Sequence, residues 1–327
     1  MAEAPNLWEM CDLCTPWCLH TVATLRIAQH MEAGITEIGE LARAAGSNAE
    51  MLGRVMVHLA RKGVFERTEP GRFALNGAAR GLLDPALLIG LDLNGIGGRM
   101  AYAWGTLPSY VRTGKPAYHE AFGMPFWEDL DAHPDIAASF DAMIGRTGHQ
   151  DFDRDVSVTG GWEAVRTVVD VGGGTGATLA VVLGFHRHVR GILVDLPRTV
   201  ARSAETFQAA GVADRVTTAA QSFFDPLPGG ADLYLLRGVL NDWDDPEALA
   251  ILKRCAEAAR PGGRVVVLKG VLPDGSGSDG LPISMLMVGG KDRTVSEFRE
   301  IARQAGLEIV AAGQQPSGYF VVECRTV

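Results

Sequence analysis

The stretch Asp170-Val-Gly-Gly-Gly-Thr-Gly-Ala177 decides the fold of this chain, because it joins a predicted strand to a predicted helix through a turn rich in glycine. Gly172, Gly174 and Gly176 permit a tight turn and allow a ligand to approach the backbone where the helix begins. Asp195 ends the next predicted strand, nineteen residues after Gly176, and a carboxylate there can accept hydrogen bonds from ribose hydroxyls. The turn therefore predicts a nucleotide-like ligand at the end of a parallel sheet.

Several folds share such a turn. Written as Gly172-x-Gly174-x-x-Ala177, it also matches the fingerprint of dinucleotide-binding proteins. Asp170, however, stands two positions before the first glycine, where its carboxylate can bond the amine of an amino-acid moiety. The sheet is also predicted to end in an antiparallel pair. Both features favour S-adenosylmethionine over a nicotinamide cofactor.

Strands and helices alternate around this turn and predict a Rossmann-like α/β domain with a parallel sheet. Two helix starts are marked, one by Asp245 with Pro246 and one by a capping box of Thr294 with Glu297. The parallel strands are predicted at Val168–Val171, Ile192–Asp195, Val216–Ala219, Asp232–Leu236 and Arg264–Leu268, and the closing antiparallel pair at Glu308–Ala312 and Tyr319–Cys324.

The first part of the chain is predicted to be helical with a small hairpin. A capping box of Ser47 with Glu50 starts one helix, and Val64–Arg67 and Phe73–Leu75 are the two predicted strands of the hairpin. Helices followed by such a hairpin are typical of winged-helix modules. The predicted domains are 1–90 as a winged-helix dimerisation domain, 91–160 as a helical linker and substrate-cleft segment, and 161–327 as the cofactor-binding domain.

Winged-helix modules often bind DNA, so a DNA-binding regulator is an alternative function. Glu50 interrupts the basic side chains of the second predicted helix, which are Arg54, His58, Arg61 and Lys62. The 327-residue chain has a formal net charge of −9, which is poorly suited to coating nucleic acid or anionic lipid. We therefore predict no nucleic-acid partner.

Membrane and export signals are not predicted. No stretch approaches the roughly 20 apolar residues of a membrane span, and the N-terminus MAEAPNLWEM lacks the basic-then-apolar pattern of a signal peptide. A cytoplasmic enzyme without a membrane partner is the expectation.

Three cysteines near the N-terminus, Cys11, Cys14 and Cys18, have a spacing that suggests either a metal site or one face of a helix. Leu7, Val22 and Leu25 continue the same spacing of three or four residues. Because free cysteine packs as a small apolar side chain, we predict core packing and no metal.

Further motifs carry a family resemblance, and they are Thr15-Pro16-Trp17, Phe126-Trp127-Glu128, Phe140-Asp141-Ala142-Met143, Phe223-Phe224-Asp225-Pro226-Leu227-Pro228, Asp242-Trp243-Asp244-Asp245 and Gly289-Gly290-Lys291-Asp292-Arg293-Thr294. With these motifs and the glycine turn, the chain resembles, nearly end to end, the bacterial small-molecule O-methyltransferases of the plant-caffeate type. Members of that family modify natural products such as anthracyclines and other polyketides. The resemblance implies a small-molecule substrate, a homodimer formed through the winged-helix module, and a cleft between the helical segment and the cofactor-binding domain.

The resemblance also implies roles for individual residues at the cofactor. The turn glycines hold the methionine end, Asp195 takes the ribose, Ser222 and Phe223 flank the adenine, and Arg237 and Trp243 close over the cofactor. Position 222 is usually an aspartate in this family, but serine still offers a hydrogen bond. The residues assigned to S-adenosylmethionine are Asp170, Gly172, Gly174, Gly176, Asp195, Leu196, Ser222, Phe223, Arg237 and Trp243.

Substrate contacts are predicted among apolar and aromatic side chains, which dominate small-molecule sites. Met285 and Met287 match family positions near the substrate, and the alternative for them is core filling. The residues predicted to contact substrate are Trp104, Phe140, Met143, Met285 and Met287.

The expected catalyst is missing. The family's general base is a histidine directly before Asp-Trp, where this chain has Asn241, and Lys269 replaces the acidic residue that supports it. An amide has no titratable proton near neutrality, so Asn241 is not a general base. We predict that Asn241 positions the substrate and that Lys269 pairs with an anionic substrate group, the alternative being that Lys269 extends to solvent. His149 is a candidate substitute base.

Two functions remain open at such a site. Methyl transfer to oxygen, nitrogen or carbon proceeds without a general base if the substrate supplies its own nucleophile, because orientation alone is worth about 7–11 kcal/mol. Alternatively, the chain keeps the cofactor but performs hydroxylation, decarboxylation or cyclisation, with the sulfonium as a fixed positive charge. The largely intact cofactor motif favours methyl transfer.

Overall fold

The computed structural model describes residues 6–147, 161–276, 282–316 and 318–327. The chain divides into two compact units, a smaller one of Met1–Ala103 with Leu130–Met143 and a larger one of Trp104–Asp129 with Ile144–Val327. The predicted division into three domains stays a prediction. None of the helices in the described ranges is both long and apolar enough to cross a lipid bilayer.

The elements are given in chain order. The helices are α1 Leu7–Met10, α2 Cys14–Thr24, α3 Ile27–Glu32, α4 Ile38–Ala44, α5 Ala49–Arg61, α6 Gly77–Arg80, α7 Pro85–Leu91, α8 Ile96–Ala103, α9 Leu107–Thr113, α10 Tyr118–Phe122, α11 Phe126–Ala132, α12 Pro134–Thr147, α13 Ala177–Phe185, α14 Pro197–Val200, α15 Ser203–Ala209, α16 Asp245–Ala258, α17 Ile283–Met287 and α18 Val295–Gln304. The strands are β1 Phe65–Glu69, β2 Arg72–Leu75, β3 Thr167–Val171, β4 Arg190–Asp195, β5 Val216–Ala220, β6 Leu233–Arg237, β7 Arg264–Leu268, β8 Leu307–Gln314 and β9 Phe320–Thr326.

The larger unit is built on a sheet in which the described residues form seven strands, in the order β5-β4-β3-β6-β7-β9-β8. The first five strands in this order run parallel. The last strand in sequence, β9, lies between β7 and β8 and is antiparallel to both. The predicted α/β fold with a closing antiparallel pair is confirmed, and each predicted strand differs from the observed one by no more than two residues at either end.

Alternate side chains of the central strands enter two cores on opposite faces of the sheet, because successive side chains of a strand point in opposite directions. Val169 and Tyr234 pack with residues of α16 and α18 in one core. Val168 and Leu235 pack with residues of α13 and α15 in the other. Burial on both faces is why these strands read as continuous apolar runs rather than as alternating patterns.

The strand order reverses between β3 and β6, and this reversal fixes where a ligand binds. The chain proceeds from β3 to β4 and β5 on one side, and from β6 to β7 on the other. Connections that leave in opposite directions open a crevice at the carboxyl ends of the two central strands. The glycine turn directly follows β3, and Gly238 directly follows β6.

The marked helix starts in the larger unit are found with one correction. Thr294 and Glu297 form the reciprocal capping box at the start of α18. Pro246 lies in the first turn of α16, but the N-cap is Asp244, whose side chain accepts a hydrogen bond from the backbone N–H of Asp245. The prediction of Asp245 as the cap was one residue late, since Asp244 and Asp245 are adjacent aspartates.

The smaller unit contains the predicted helices and hairpin. β1 and β2 pair antiparallel, with Phe65 opposite Leu75. The predicted capping box at Ser47 is wrong, because the N-cap of α5 is Asn48, whose side chain accepts a hydrogen bond from the backbone N–H of Met51. Asparagine is as good an N-cap as serine, so the two candidates were not separable by residue type.

The first predicted helix is interrupted, which changes the interpretation of its cysteines. The Asp12 carboxylate accepts hydrogen bonds from the backbone N–H groups of Cys14 and Thr15, so a new helix starts there. Cys18 is buried, whereas Cys11 and Cys14 are exposed. Core packing was therefore the right prediction for Cys18 and the wrong one for the other two.

Candidate active site

The glycine turn between β3 and α13 forms a cradle that requires glycine. Gly172, Gly174 and Gly176 have φ angles of +67°, +62° and +83°, in the left-handed region that residues with a Cβ avoid. A Cβ on Gly176 would lie 2.2 Å from the Phe207 ring, and one on Gly172 would lie 2.9 Å from Val239. A Cβ on Gly174 would meet nothing within 4 Å, so that face of the turn is open to a ligand.

Asp170 lies in β3, one residue before the strand ends. The residue is 1% exposed, and neither carboxylate oxygen has a hydrogen-bond partner among the described residues. Burial raises the pKa of Asp170 to about 7, although the Arg237 guanidinium and the nearby backbone N–H of Leu179 act in the opposite direction. A buried carboxylate with so little compensation is unfavourable when charged, and a bound ammonium group is a partner that would relieve it.

Asp195 ends β4 on the other side of the turn. Its Oδ2 accepts a hydrogen bond of 2.8 Å from Gly174 N–H, and its Oδ1 accepts one of 2.7 Å from Leu196 N–H. Burial raises the pKa of Asp195 despite these two bonds. Each carboxylate oxygen accepts more than one hydrogen bond, so Asp195 can hold the turn and still accept bonds from two hydroxyls of a ligand.

Aromatic rings form a wall on the loops that follow β5 and β6. Phe223 and Phe224 meet Trp243 edge-on, with centroid distances of 6.0 Å and 5.1 Å. Trp127, from α11, stacks on Trp243 at 5.5 Å. The Ser222 hydroxyl accepts a hydrogen bond of 3.2 Å from Phe224 N–H, so Ser222 stabilises the turn that carries these rings. A wall of this kind suits a planar ligand.

Asn241 lies in a single 3-10 turn, Leu240–Asp242, shortly after β6. It is 8% exposed, and its Nδ2 donates a 3.2 Å hydrogen bond to Asp242 Oδ1. The Asn241 Oδ1 has no partner among the described residues. Burial raises the pKa of Asp242 to about 7. The titratable group next to the amide is therefore Asp242, which begins the motif Asp242-Trp243-Asp244-Asp245.

Lys269 directly follows β7 and lies beside Asn241. A Cβ added to Gly238 would lie 3.9 Å from Asn241 Oδ1 and 4.0 Å from Lys269 Cδ. The side chains of Asn241 and Lys269 therefore border the same point of the backbone. Lys269 Nζ lies 4.5 Å from the ring centroid of Tyr319, which is a cation–π distance. Lys269 has a φ of +61°, a conformation that costs a residue other than glycine about 1–2 kcal/mol.

Arg293 anchors the loop that carries Asn241, and sequence reasoning assigned it no role. It is 1% exposed and donates to the carbonyl oxygens of Leu240 and Trp243, at 2.8 Å and 2.7 Å, and to Asp245 Oδ1 at 2.9 Å. The planar guanidinium thus fixes three points of the loop at once. Arg293 belongs to the motif that ends in Thr294, but its place in a motif does not by itself indicate that its charged side chain is buried.

Part of the predicted substrate set lies together. The turn Trp104–Thr106 packs against α17, which carries Met285 and Met287. Trp104 is exposed and Met285 is half-buried, whereas Met287 is 1% exposed. Phe140 and Met143 are half-buried on α12, within the smaller unit. His149 lies outside the described residues.

Most of the predicted cofactor and catalytic set lies along the carboxyl edge of the parallel strands in the larger unit. The edge offers a buried carboxylate for an ammonium, a second carboxylate for hydroxyls, an aromatic wall, a buried amide and a fixed lysine ammonium. Arg237 ends β6 at the same edge and donates a 3.2 Å hydrogen bond from Nη1 to Thr178 Oγ1. The arrangement suits a ligand that combines an amino acid with a ribose and a planar base.

Known proteins are similar to this chain in sequence and in fold. Residues 104–308 match the family model described as an O-methyltransferase domain. A 2,7-dihydroxy-5-methyl-1-naphthoate 7-O-methyltransferase from Streptomyces carzinostaticus is 39% identical over 311 residues, which cover 94% of this chain and 93% of that protein. Aclacinomycin 10-hydroxylase RdmB from Streptomyces purpurascens is 39% identical over 318 residues, which cover 94% of this chain and 84% of that protein.

A solved structure agrees with these matches. The crystal structure of NcsB1, an O-methyltransferase from neocarzinostatin biosynthesis in complex with S-adenosylmethionine and 2-hydroxy-5-methyl naphthoic acid, is similar with a TM-score of 0.84 and 38% identity, and the match covers 100% of both chains. The cofactor predicted from the sequence is the one bound in that complex. The family match covers more than half of this chain, and the relatives extend it over nearly the whole length. The chain therefore belongs to the O-methyltransferase family.

Proposed function

We propose that this chain binds S-adenosylmethionine and directs its methyl group to a small aromatic natural-product intermediate. The observation that carries the proposal is the buried carboxylate of Asp170, which has no hydrogen-bond partner among the described residues and lies next to the glycine cradle. An ammonium group is the partner that such a carboxylate lacks, and the open face of Gly174 admits the amino-acid end of the ligand. The naphthoate named for one relative, and the naphthoic acid in the complex of another, support an aromatic substrate.

The residues of the cradle fit that cofactor. When bound, S-adenosylmethionine supplies an electrophilic methyl group on a positively charged sulfur, and its loss of the methyl to a nucleophile leaves the demethylated thioether. Asp170 holds the ammonium, and Asp195 accepts bonds from the ribose hydroxyls. Phe223 and Trp243 contact the planar base, because they form the aromatic wall beside the turn.

The acceptor group is positioned by Asn241 and Lys269. The side-chain amide oxygen Oδ1 of Asn241 is buried and has no described partner, so it accepts a hydrogen bond from a hydroxyl or amine of the substrate. The Lys269 ammonium, held over Tyr319, stabilises a phenolate or carboxylate and thereby lowers the pKa of a nearby hydroxyl. The substrate then supplies a nucleophile that needs no general base.

The role of Lys269 is tested by Lys269→Met, with Lys253→Met as the matched control because Lys253 is exposed on α16. We expect Lys269→Met to weaken substrate affinity and turnover at least tenfold, about the effect of one lost charge-assisted hydrogen bond, and the control to leave both unchanged. Equal substrate affinity and turnover for the two variants would contradict the electrostatic role of Lys269.

The reaction itself is tested by product stoichiometry. The purified chain is incubated with S-adenosylmethionine and 2,7-dihydroxy-5-methyl-1-naphthoate or related hydroxynaphthoates, and both products are quantified by mass spectrometry. Methylated product and demethylated cofactor in equal amounts support the proposal. Conversion of the aromatic probe without demethylated cofactor contradicts it.

A second candidate is supported by the relative that is named a 10-hydroxylase at the same 39% identity as the naphthoate methyltransferase. In that candidate function the sulfonium stays intact and acts as a fixed positive charge. Asn241 and Lys269 suit this chemistry as well, since a reaction that keeps the sulfonium intact does not require a histidine to abstract a proton from an acceptor for methyl transfer. The stoichiometry experiment separates the two candidates, because only methyl transfer consumes the cofactor.

The assembly and location are also proposals. We infer a homodimer formed through the smaller unit and a cytoplasmic location, with no role in DNA binding. The acidic chain supports the last point, as does the ion pair of 2.9 Å between Arg54 and Glu50, which neutralises part of the basic face of α5. Light scattering on the purified chain tests the dimer, and a mobility-shift assay with random duplex DNA tests the exclusion of DNA.

A further inference from the structure

Cys14, Cys18 and His58 form a cluster in the smaller unit that has no part in the proposed reaction. The two sulfur atoms lie 3.9 Å apart. One ring nitrogen of His58 and both sulfurs all lie within 4.8 Å of one another. The sequence showed only the two cysteines, since His58 is forty residues further along the chain.

Rigid elements hold the three side chains. Cys14 and Cys18 are one turn apart on α2, so they share a face of that helix. His58 lies on α5, which packs against α2. The buried residues Val22 and Leu59 anchor the two helices in a common core. The cluster is therefore set by the packing of two helices rather than by a loop.

The spacing suits a tetrahedral metal ion. Two thiolates bound to one zinc ion at about 2.3 Å each lie about 3.8 Å apart in tetrahedral geometry, which is close to the observed 3.9 Å. Two sulfurs and one imidazole are the donor set preferred by soft, thiophilic cations. Three protein donors leave a fourth position open to water.

A hydrogen-bond chain orients the imidazole. His58 Nε2 lies 2.8 Å from Thr15 Oγ1, and the Thr15 hydroxyl donates a 2.6 Å hydrogen bond to Asp12 Oδ2. Because that hydroxyl proton is directed to Asp12, His58 Nε2 is the donor in this contact, which leaves Nδ1 as the ring nitrogen that can offer a lone pair. Metal-binding histidines are commonly oriented in this way by a carboxylate outside the ligand set.

The cluster is open to ions from solution. Cys14 is exposed, whereas Cys18 is buried beneath it. Cys11 is also exposed but does not belong to the cluster, which makes it a matched control. We propose that Cys14, Cys18 and His58 bind one thiophilic d10 cation, with Zn²⁺ as the tested ion, at a site separate from the methyl-transfer site.

The experiment uses the full chain, reduced and stripped of metal by a chelator. Zn²⁺ is titrated in competition with a chromogenic chelator, and Co²⁺ is added in parallel because its visible spectrum reports tetrahedral thiolate coordination. We expect one ion per chain with a Kd tighter than about 1 μM, and a thiolate-to-cobalt charge-transfer band. Thiol titration before each run confirms that the cysteines are reduced.

Variants at exposed or half-buried positions keep the test independent of folding. Cys14→Ser and His58→Gln are each expected to weaken Zn²⁺ binding at least a hundredfold. The loss of a residue that only orients a metal ligand already costs up to about a hundredfold in affinity, and these variants remove a ligand itself. Cys11→Ser is expected to bind as the parent does, and circular dichroism checks that all three variants fold. A fully reduced parent that binds well below one equivalent overturns the proposal, as does equal binding by Cys14→Ser and Cys11→Ser.

Discussion

Cofactor binding is expected to release protons from Asp170, and this linkage gives the sharpest test of the proposed cofactor site. Burial raises the pKa of Asp170 to about 7. An ammonium bound beside the carboxylate favours its charged form and lowers that pKa. At pH 7 the side chain is about half protonated before binding and almost fully ionised afterwards, so binding should release about half a proton.

The sign and size of the pH dependence follow from the same shift. Below pH 7, Asp170 must lose its proton before it can pair with the ammonium, so affinity falls about tenfold for each unit of pH below the raised pKa. If binding returns the pKa to near 4, S-adenosylmethionine should bind about 50- to 100-fold more weakly at pH 5 than at pH 7.5. Asp170→Asn keeps the shape but removes the titration, so its affinity should be weaker at pH 7.5 and nearly flat with pH.

Isothermal titration calorimetry in two buffers of different ionisation enthalpy measures the released protons directly. The matched control is Asp225→Asn, since Asp225 is an exposed carboxylate in the same unit, and it should keep both the proton release and the pH dependence of the parent. A parent protein with equal binding enthalpy in both buffers at pH 7, and with a flat affinity from pH 5 to 7.5, refutes the assignment of Asp170 to an ammonium.

Three further comparisons test the scaffold of the site by urea unfolding. Gly176→Ala should cost about 2–5 kcal/mol, because left-handed strain adds to overlap with an aromatic ring, whereas Gly174→Ala should cost only the strain of about 1–2 kcal/mol; equal losses contradict the cradle geometry. Arg293→Met removes the side-chain donor to the carbonyl oxygens of Leu240 and Trp243 and should cost at least about 2 kcal/mol, while the exposed control Arg299→Met should be neutral. Thr294→Ala removes the capping box and should cost about 1 kcal/mol; an unchanged stability would show that the cap adds nothing to α18.

The sheet was predictable because its signals are local. Parallel strands buried on both faces read as short apolar runs, and Val265–Leu268 is such a run within the strand Arg264–Leu268, whose predicted and observed bounds coincide. The glycine turn is equally local, since three positive φ angles in five residues leave no choice of residue type. The position of β9 between β7 and β8 was not predictable in this way. The alternation of strands and helices along the sequence does not show which strand of the last pair lies next to β7.

Features that depend on distant contacts were missed. The role of Arg293 exists only because three oxygen atoms of a loop about fifty residues earlier point at it. The raised pKa of Asp242 comes from burial alone, which an aspartate inside a polar motif does not reveal. Cys14 was assigned to a helical core face because the spacing was continuous, but a new helix starts at Cys14, and at this helix end the cysteine is exposed although it shares a face with Cys18.

The residues that are proposed to bind the cofactor differ from those that are proposed to position the substrate. The two relatives at 39% identity illustrate why this difference matters. One is named a methyltransferase and the other a hydroxylase, so most of the shared residues must serve the fold and its ligand cradle rather than one reaction. In this chain the loop with Asn241 is fixed from outside by Arg293 and is contacted by Trp127, whose Nε1 lies 3.4 Å from the carbonyl oxygen of Asp242. A loop held by such contacts keeps its shape when a side chain facing the substrate changes, because its backbone geometry does not depend on that side chain. The two proposed chemistries therefore share this loop and the cofactor site, and we expect the side chains around the Asn241 amide to decide between them.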